Sequence, residues 1–208
     1  MIAVVDYGVG NLFSLKSSLA AIGAEAVVTA DEETIARADK VILPGVGAFA
    51  DAVEKLRAAG LDRVLKREAE GGKPLLGICL GMQMLFDKSF EYGEHEGLGL
   101  ISGQVRPIAE VIPAAYKIPH IGWNALRFRK QSPLFRYIDE GDFVYFVHSY
   151  YAADCDADTI AVAEYGGELT AAVQRKNVLG CQFHPEKSGR VGLKILRAFA
   201  EMKEGDLC

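Results

Sequence analysis

Apolar and polar positions alternate in blocks along the first half of the chain. "IAVVDYG" opens with a short β-branched run, "NLFSLKSSLAAIG" has helical spacing with Gly23 as its stop, and "AEAVVTA" is a run again. The alternation continues through "DKVILPG", a helical stretch predicted from Ala48 to about Glu70, "KPLLGIC", and a helix opening near Leu80. Short strands alternating with helices predict parallel pairing, with helices on both faces of the sheet. Ligands in such sheets sit at the carboxyl ends of the strands, where this chain carries three glycine-rich loops: "DYGVGN", "LPGVGAF" and "GICLGMQ".

Beyond Phe86 the pattern changes. "SFEYGEHEGLGLISGQVRPI" is rich in glycine and turn residues, and the runs "DFVYFVHSYYA", "DTIAVAEYG", "LTAAVQRK" and "VLGCQFHPE" follow without helices between them. This half reads as antiparallel or mixed. A last amphipathic helix is predicted from Gly189 to about Met202. With no repeat, low-complexity tract or linker, the expected fold is three-layer α/β. A central mixed, mostly parallel sheet is flanked by helices in one domain over residues 1–208.

Composition narrows the function. Half of the 208 residues are hydrophobic and a quarter charged, an ordinary globular balance that excludes disorder as a main theme. The net charge of -5, without a Lys/Arg cluster, removes the electrostatic footprint of a nucleic-acid binder. The first apolar run stops at Asp6 without a basic leader and reads as a strand, not a signal peptide. No stretch approaches the roughly 18 consecutive apolar residues of a membrane span. A cytoplasmic protein without membrane contact is expected. Cys79, Cys155, Cys181 and Cys208 lack the density or paired spacing of a disulfide scaffold or zinc site. Free thiols and no metal are expected.

"GVG" occurs at Gly8–Gly10 and Gly45–Gly47, which invites a dinucleotide fingerprint. The third glycine is missing: Phe13 and Ala50 stand in its place, and only the second match survives, weakly. No phosphate loop ending in Gly-Lys-Ser/Thr exists. Glycine also lets backbone amides approach a substrate or a developing charge; at Gly8 and Gly10 a plain turning role competes equally with that one.

"GICLG" has the form Gly-x-nucleophile-x-Gly between a strand and a helix. Such an elbow forces its central residue into strained geometry, so its flanks must be small. A helix N-terminus favours thiolate over thiol, and the Leu80 amide points where an oxyanion would form. The competing reading, a buried cysteine packed as a small hydrophobe, lacks a reason for both glycines. Among His95, His120, His148 and His184, the last stands out in "CQFHPE". Its following proline biases it to extended geometry, where residues two apart point the same way, so Glu186 could orient its imidazole. His148 reads as a packed strand histidine and His95 as a solvated one.

Cys79 in "GICLGMQ" together with "FHPE" resembles the class I, triad-type glutamine amidotransferases over essentially the whole chain. "DYGVGN", "LPGVGAF", "PHIGWN", "FVHSYY" and "FHPEKSG", in that order, are similar to one branch of it, the glutaminase subunits of imidazole glycerol phosphate synthases. The resemblance implies Cys79 as nucleophile, His184 as base and Glu186 as orienter. It implies an oxyanion hole from Leu80 and the Gly45, Val46, Gly47 loop, glutamine held by Gln83, Ser149 and Tyr150, and no cofactor. It further implies a heterodimer with a (β/α)8-barrel synthase subunit, touched by Asn11, Trp123 and Lys187, to which the ammonia passes. "PGVG" is then the expected switch for activation by the partner's nucleotide. The nearest rival is the corresponding subunit of anthranilate or aminodeoxychorismate synthase, against which "PHIGWN" and "EKSG" argue. A non-catalytic homologue would show a broken triad, and a stand-alone cysteine hydrolase would need no partner.

Overall fold

The computed structural model describes residues 1–206. The first half runs β1 (Ile2–Val5), α1 (Leu12–Ala21), β2 (Ala26–Thr29), α2 (Glu32–Arg37), β3 (Lys40–Leu43), α3 (Phe49–Ala58), α4 (Leu61–Glu70), β4 (Leu75–Ile78) and α5 (Leu80–Met84). The second continues with β5 (Phe86–Ser89), β6 (His95–Glu96), β7 (Ile101–Pro107), β8 (His120–Ala125), β9 (Arg127–Phe128), β10 (Phe143–His148), β11 (Tyr150–Ala153), β12 (Thr159–Glu164), β13 (Glu168–Arg175), β14 (Val178–Cys181) and α6 (Gly189–Glu201).

The main sheet has the order β2-β1-β3-β4-β14-β13-β12-β9. Its first five strands are parallel and the rest antiparallel. Period-2 alternation divides the core. On β1, Ala3 and Val5 pack with Ile35 of α2, Phe49 and Val53 of α3 and Leu61 of α4. Ile2 and Val4 pack on the other face with Leu15 and Leu19 of α1 and Ile195 and Phe199 of α6. Helices therefore cover both sides of a mixed sheet, as expected. A four-stranded sheet (β11-β7-β5-β6) and the β10-β8 pair form the rest.

The elements differ from expectation in three places. The single helix from Ala48 to Glu70 is two, because Gly60 adopts a left-handed φ of 72° between α3 and α4. α2 is a helix the patterning did not predict, capped where the Asp31 carboxylate accepts from the Thr34 amide at 2.8 Å. "DFVYFVHSYYA" breaks at Ser149 into β10 and β11, which belong to different sheets. The three adjacent parallel strands β3, β4 and β14 end side by side, and their carboxyl ends carry the site.

Candidate active site

Cys79 is the whole turn between β4 and α5. Its backbone sits at φ 54° and ψ -113°, a conformation L-residues rarely adopt. The flanking glycines are steric requirements. A Cβ on Gly81 would lie 1.9 Å from the Leu43 carbonyl oxygen, and one on Gly77 2.7 Å from the Met82 nitrogen. The Cys79 amide donates to the Cys181 carbonyl at 2.8 Å, tying the elbow to β14. α5 is five residues long, little more than one turn, so the helix expected after the elbow is short.

β14 delivers His184 to the same place. The His184 amide donates to the Tyr145 carbonyl at 2.9 Å, and its carbonyl accepts from Ser188 Oγ at 2.7 Å. The ring is buried, with Nδ1 2.9 Å from Glu186 Oε1. The route to this contact differs from the extended geometry expected. His184 is extended, but Pro185–Lys187 coil into a 3-10 turn that brings Glu186 back under the ring. Burial disfavours a charged imidazole, yet hydrogen bonds to Cys79 and Glu186 outweigh it and raise His184 to about 9. With Nδ1 held by Glu186, Nε2 is the nitrogen left for the sulfur.

These groups open on a cavity of about 330 Å³. Val46, Gly47, Leu80, Gln83, Ser149 and Tyr150 line it with Cys79 and His184. Gly45 does not: it lies behind the elbow, where an added Cβ would meet the Gly81 nitrogen at 2.7 Å. Gly47 takes a φ of 93° with nothing within 4 Å of where a Cβ would stand. The Tyr150 carbonyl is already engaged, accepting from Gln83 Nε2 at 3.1 Å and from His148 Nδ1 at 2.8 Å. The Ser149 carbonyl accepts from the Ile108 amide at 3.0 Å. Two lining or adjoining residues escaped sequence reasoning. Glu91 borders the cavity, its carboxylate accepting from the Phe49 amide at 2.6 Å while burial raises its pKa. Gln182, fully buried, donates through Nε2 to Cys79 Sγ at 3.7 Å.

The family model for glutamine amidotransferase class-I matches residues 3–202. Imidazole glycerol phosphate synthase subunit HisH of Caldanaerobacter subterraneus subsp. tengcongensis is 50% identical over 203 residues, covering 97% of this chain and 98% of that protein. The chain belongs to the class-I glutamine amidotransferases, in the HisH family. The HisH protein of Sulfurimonas denitrificans is 49% identical over 98% of this chain and 99% of its own length. Among solved structures, that of a glutamine amidotransferase superposes with a TM-score of 0.75 at 20% identity, covering 97% of this chain and 98% of that one. PurLQS from Thermotoga maritima gives 0.71 at 20% identity over 95% and 96% of the two chains. At that identity the two superpositions speak to the fold alone.

Of the three residues expected at a partner surface in this class-I amidotransferase, one lines the cavity. Lys187 is exposed and borders it. Trp123 is 52% exposed on β8, edge-on to Tyr145 at 6.0 Å, so it is not a core residue. Asn11 is half-buried at the start of α1, a helix that packs on the turn carrying Glu186. Cys155 and Cys181 are buried free thiols; Cys208 lies outside the described residues. Among the described residues no cluster of three or more His, Cys, Asp or Glu could hold a metal ion, and no helix is long and apolar enough to cross a membrane.

Proposed function

We propose that this chain, acting as one amidotransferase domain, is the glutaminase subunit of an imidazole glycerol phosphate synthase. Cys79 thiolate attacks the side-chain amide carbon of glutamine, and the His184 imidazolium gives its proton to the departing nitrogen, releasing ammonia. Water then attacks the glutamyl thioester, His184 takes a proton from it, and glutamate leaves as the Cys79 thiolate is restored. Glu186 holds the ring in the tautomer both steps need. The Leu80 amide and those of the Val46–Gly47 loop receive the oxyanion. Glu91 takes the α-ammonium of glutamine, Gln83 Oε1 accepts from the same amino-acid end, and the Ser149–Tyr150 segment holds the carboxylate.

Ammonia passes on to a (β/α)8-barrel synthase subunit in a heterodimer, which makes imidazole glycerol phosphate and aminoimidazole carboxamide ribotide. Trp123, Lys187 and Asn11 face that partner. The observation that carries the reading is the meeting of Cys79 with the His184–Glu186 pair at one 330 Å³ cavity; near-50% identity to HisH proteins supports the pathway. The test is glutamate release from glutamine by the chain alone and with an imidazole glycerol phosphate synthase barrel subunit carrying its nucleotide. Strong release only in the mixture, abolished by Cys79→Ala, is expected. Equal release in both would remove the partner, and release that survives Cys79→Ala would remove the nucleophile.

A further inference from the structure

We infer that Gln182 is a positioning residue for the nucleophile, donating a hydrogen bond to the Cys79 sulfur whose polarity is dictated by the Tyr150 carbonyl through Gln83. The inference rests on the reading of Cys79 as nucleophile.

The two ends of a glutamine amide have nearly the same shape, so its direction must come from its neighbours. A backbone carbonyl can only accept. The Tyr150 oxygen lies 3.1 Å from the terminal nitrogen of Gln83, so Gln83 presents its NH2 group there. The second hydrogen of that group reaches Gln182 Oε1 at 3.0 Å. Gln182 therefore turns its oxygen to Gln83, and its own NH2 faces Cys79 Sγ at 3.7 Å. Each link admits one direction once the first is set.

The frame around this chain is rigid. Gln182 is fully buried, and its backbone amide donates to the Ala171 carbonyl at 2.8 Å, anchoring it to β13. Gln83 is nearly as buried, on the single turn that follows the elbow. Among the described residues Gln83 bonds through its nitrogen alone, and its side chain lines the cavity, which leaves Oε1 for the substrate.

A buried N–H at sulfur strengthens as negative charge gathers there and weakens when the thioester forms. Gln182 thus favours the thiolate before attack and again as leaving group when the thioester is hydrolysed. It touches no substrate atom and acts through the sulfur. His184 supplies the proton traffic; Gln182 fixes where the sulfur points and supports its charge.

Two substitutions separate this role from packing. Gln182→Glu keeps the oxygen that Gln83 needs but has no N–H for the sulfur. Gln182→Met is close in volume, uncharged and without a donor. Both are made in the full chain and assayed for glutamine hydrolysis with the barrel subunit and its nucleotide. In parallel, alkylation of the free chain by iodoacetamide is followed at pH 7, with Cys79→Ala as the blank for the other thiols. The expected result is a loss of at least about tenfold in kcat for both variants, with KM within about twofold, and slower alkylation by about the same factor. Wild-type kcat and alkylation in Gln182→Met would overturn the donor role, as would a rise in KM with kcat kept. An active Cys79→Ala chain would instead overturn the nucleophile reading on which the inference rests.

Discussion

His120 and His148 face each other at 3.0 Å, Nδ1 to Nε2, between β8 and β10. The far nitrogen of His148 meets the Tyr150 carbonyl at 2.8 Å, and that of His120 meets Asn124 Oδ1 at 2.7 Å. Asn124 cannot reverse without loss, because its NH2 is committed to the Glu164 carbonyl at 2.8 Å. Three contacts between acceptors at both ends need three ring hydrogens, and two neutral imidazoles carry two. Burial pushes His148 down to about 4 and lowers His120 as well, so the pair is neutral and one contact lacks its hydrogen. Nitrogen NMR of the imidazoles at pH 7 should show two neutral rings, with His148 protonated at Nδ1. A cationic ring at that pH would contradict this. Because the folded pKa of His148 lies below its ordinary 6.5, the stability it contributes is present above pH 6.5 and lost as pH falls toward 4.

His184 has the opposite sign. Raised to about 9 from 6.5, it contributes stability that is complete below pH 6.5 and lost as pH rises through 9. Glu186→Gln keeps an acceptor for Nδ1 but removes the charge, so denaturation midpoints should fall less between pH 6.5 and 9 than in the wild type. In the same variant kcat for glutamine hydrolysis should drop by about 10²- to 10⁴-fold. An unchanged kcat would remove Glu186 from the mechanism.

Gly81 and Gly47 should fail in different ways. Alanine at 81 would drive its Cβ to within 1.9 Å of the Leu43 carbonyl, so Gly81→Ala should destabilise the fold by about 3 kcal/mol or more in urea unfolding. Gly47 has open space but a φ of 93°. Gly47→Ala should cost only about 1–2 kcal/mol while blunting nucleotide activation of glutaminase in the complex, read as the ratio of activated to basal rates. An unaltered ratio would clear this loop of a switching role.

Glu91 supplies a test of substrate placement. Its carboxylate borders the cavity, held by the Phe49 amide. Glu91→Gln should raise KM for glutamine by about tenfold or more, the scale of a lost charged hydrogen bond, with kcat reduced much less. A kcat loss without a KM change would place Glu91 elsewhere in the cycle.

The sequence displays those features whose chemistry imposes a local signature. The elbow is legible because a strained Cys79 demands Gly77 and Gly81, and strands β1, β3 and β4 because buried parallel strands read as apolar runs. The His184–Glu186 pair is legible as a pair, though by a turn that spacing alone could not distinguish from a strand. Gly60 is hidden among helix formers in "RAAGLDR", so the split between α3 and α4 leaves no periodic trace. Glu91 is one of three acidic residues in "EYGEHE", and only the fold turns it to the cavity. Gln182 lies inside the "CQFHPE" motif, yet its link to Cys79 is spatial and has no spacing to read.

β14 lies between β4 and β13, and through it Gln182, 103 positions after Cys79 in the chain, reaches the sulfur. Chains emerge from the ribosome N-terminus first. A nascent chain therefore carries Cys79 through the 103 positions up to Gln182 with neither base nor donor beside it. Both arrive together just after β14, so the positioned nucleophile is withheld until that strand is in place, and a chain ended before Gln182 is left with Cys79 lacking both donor and base.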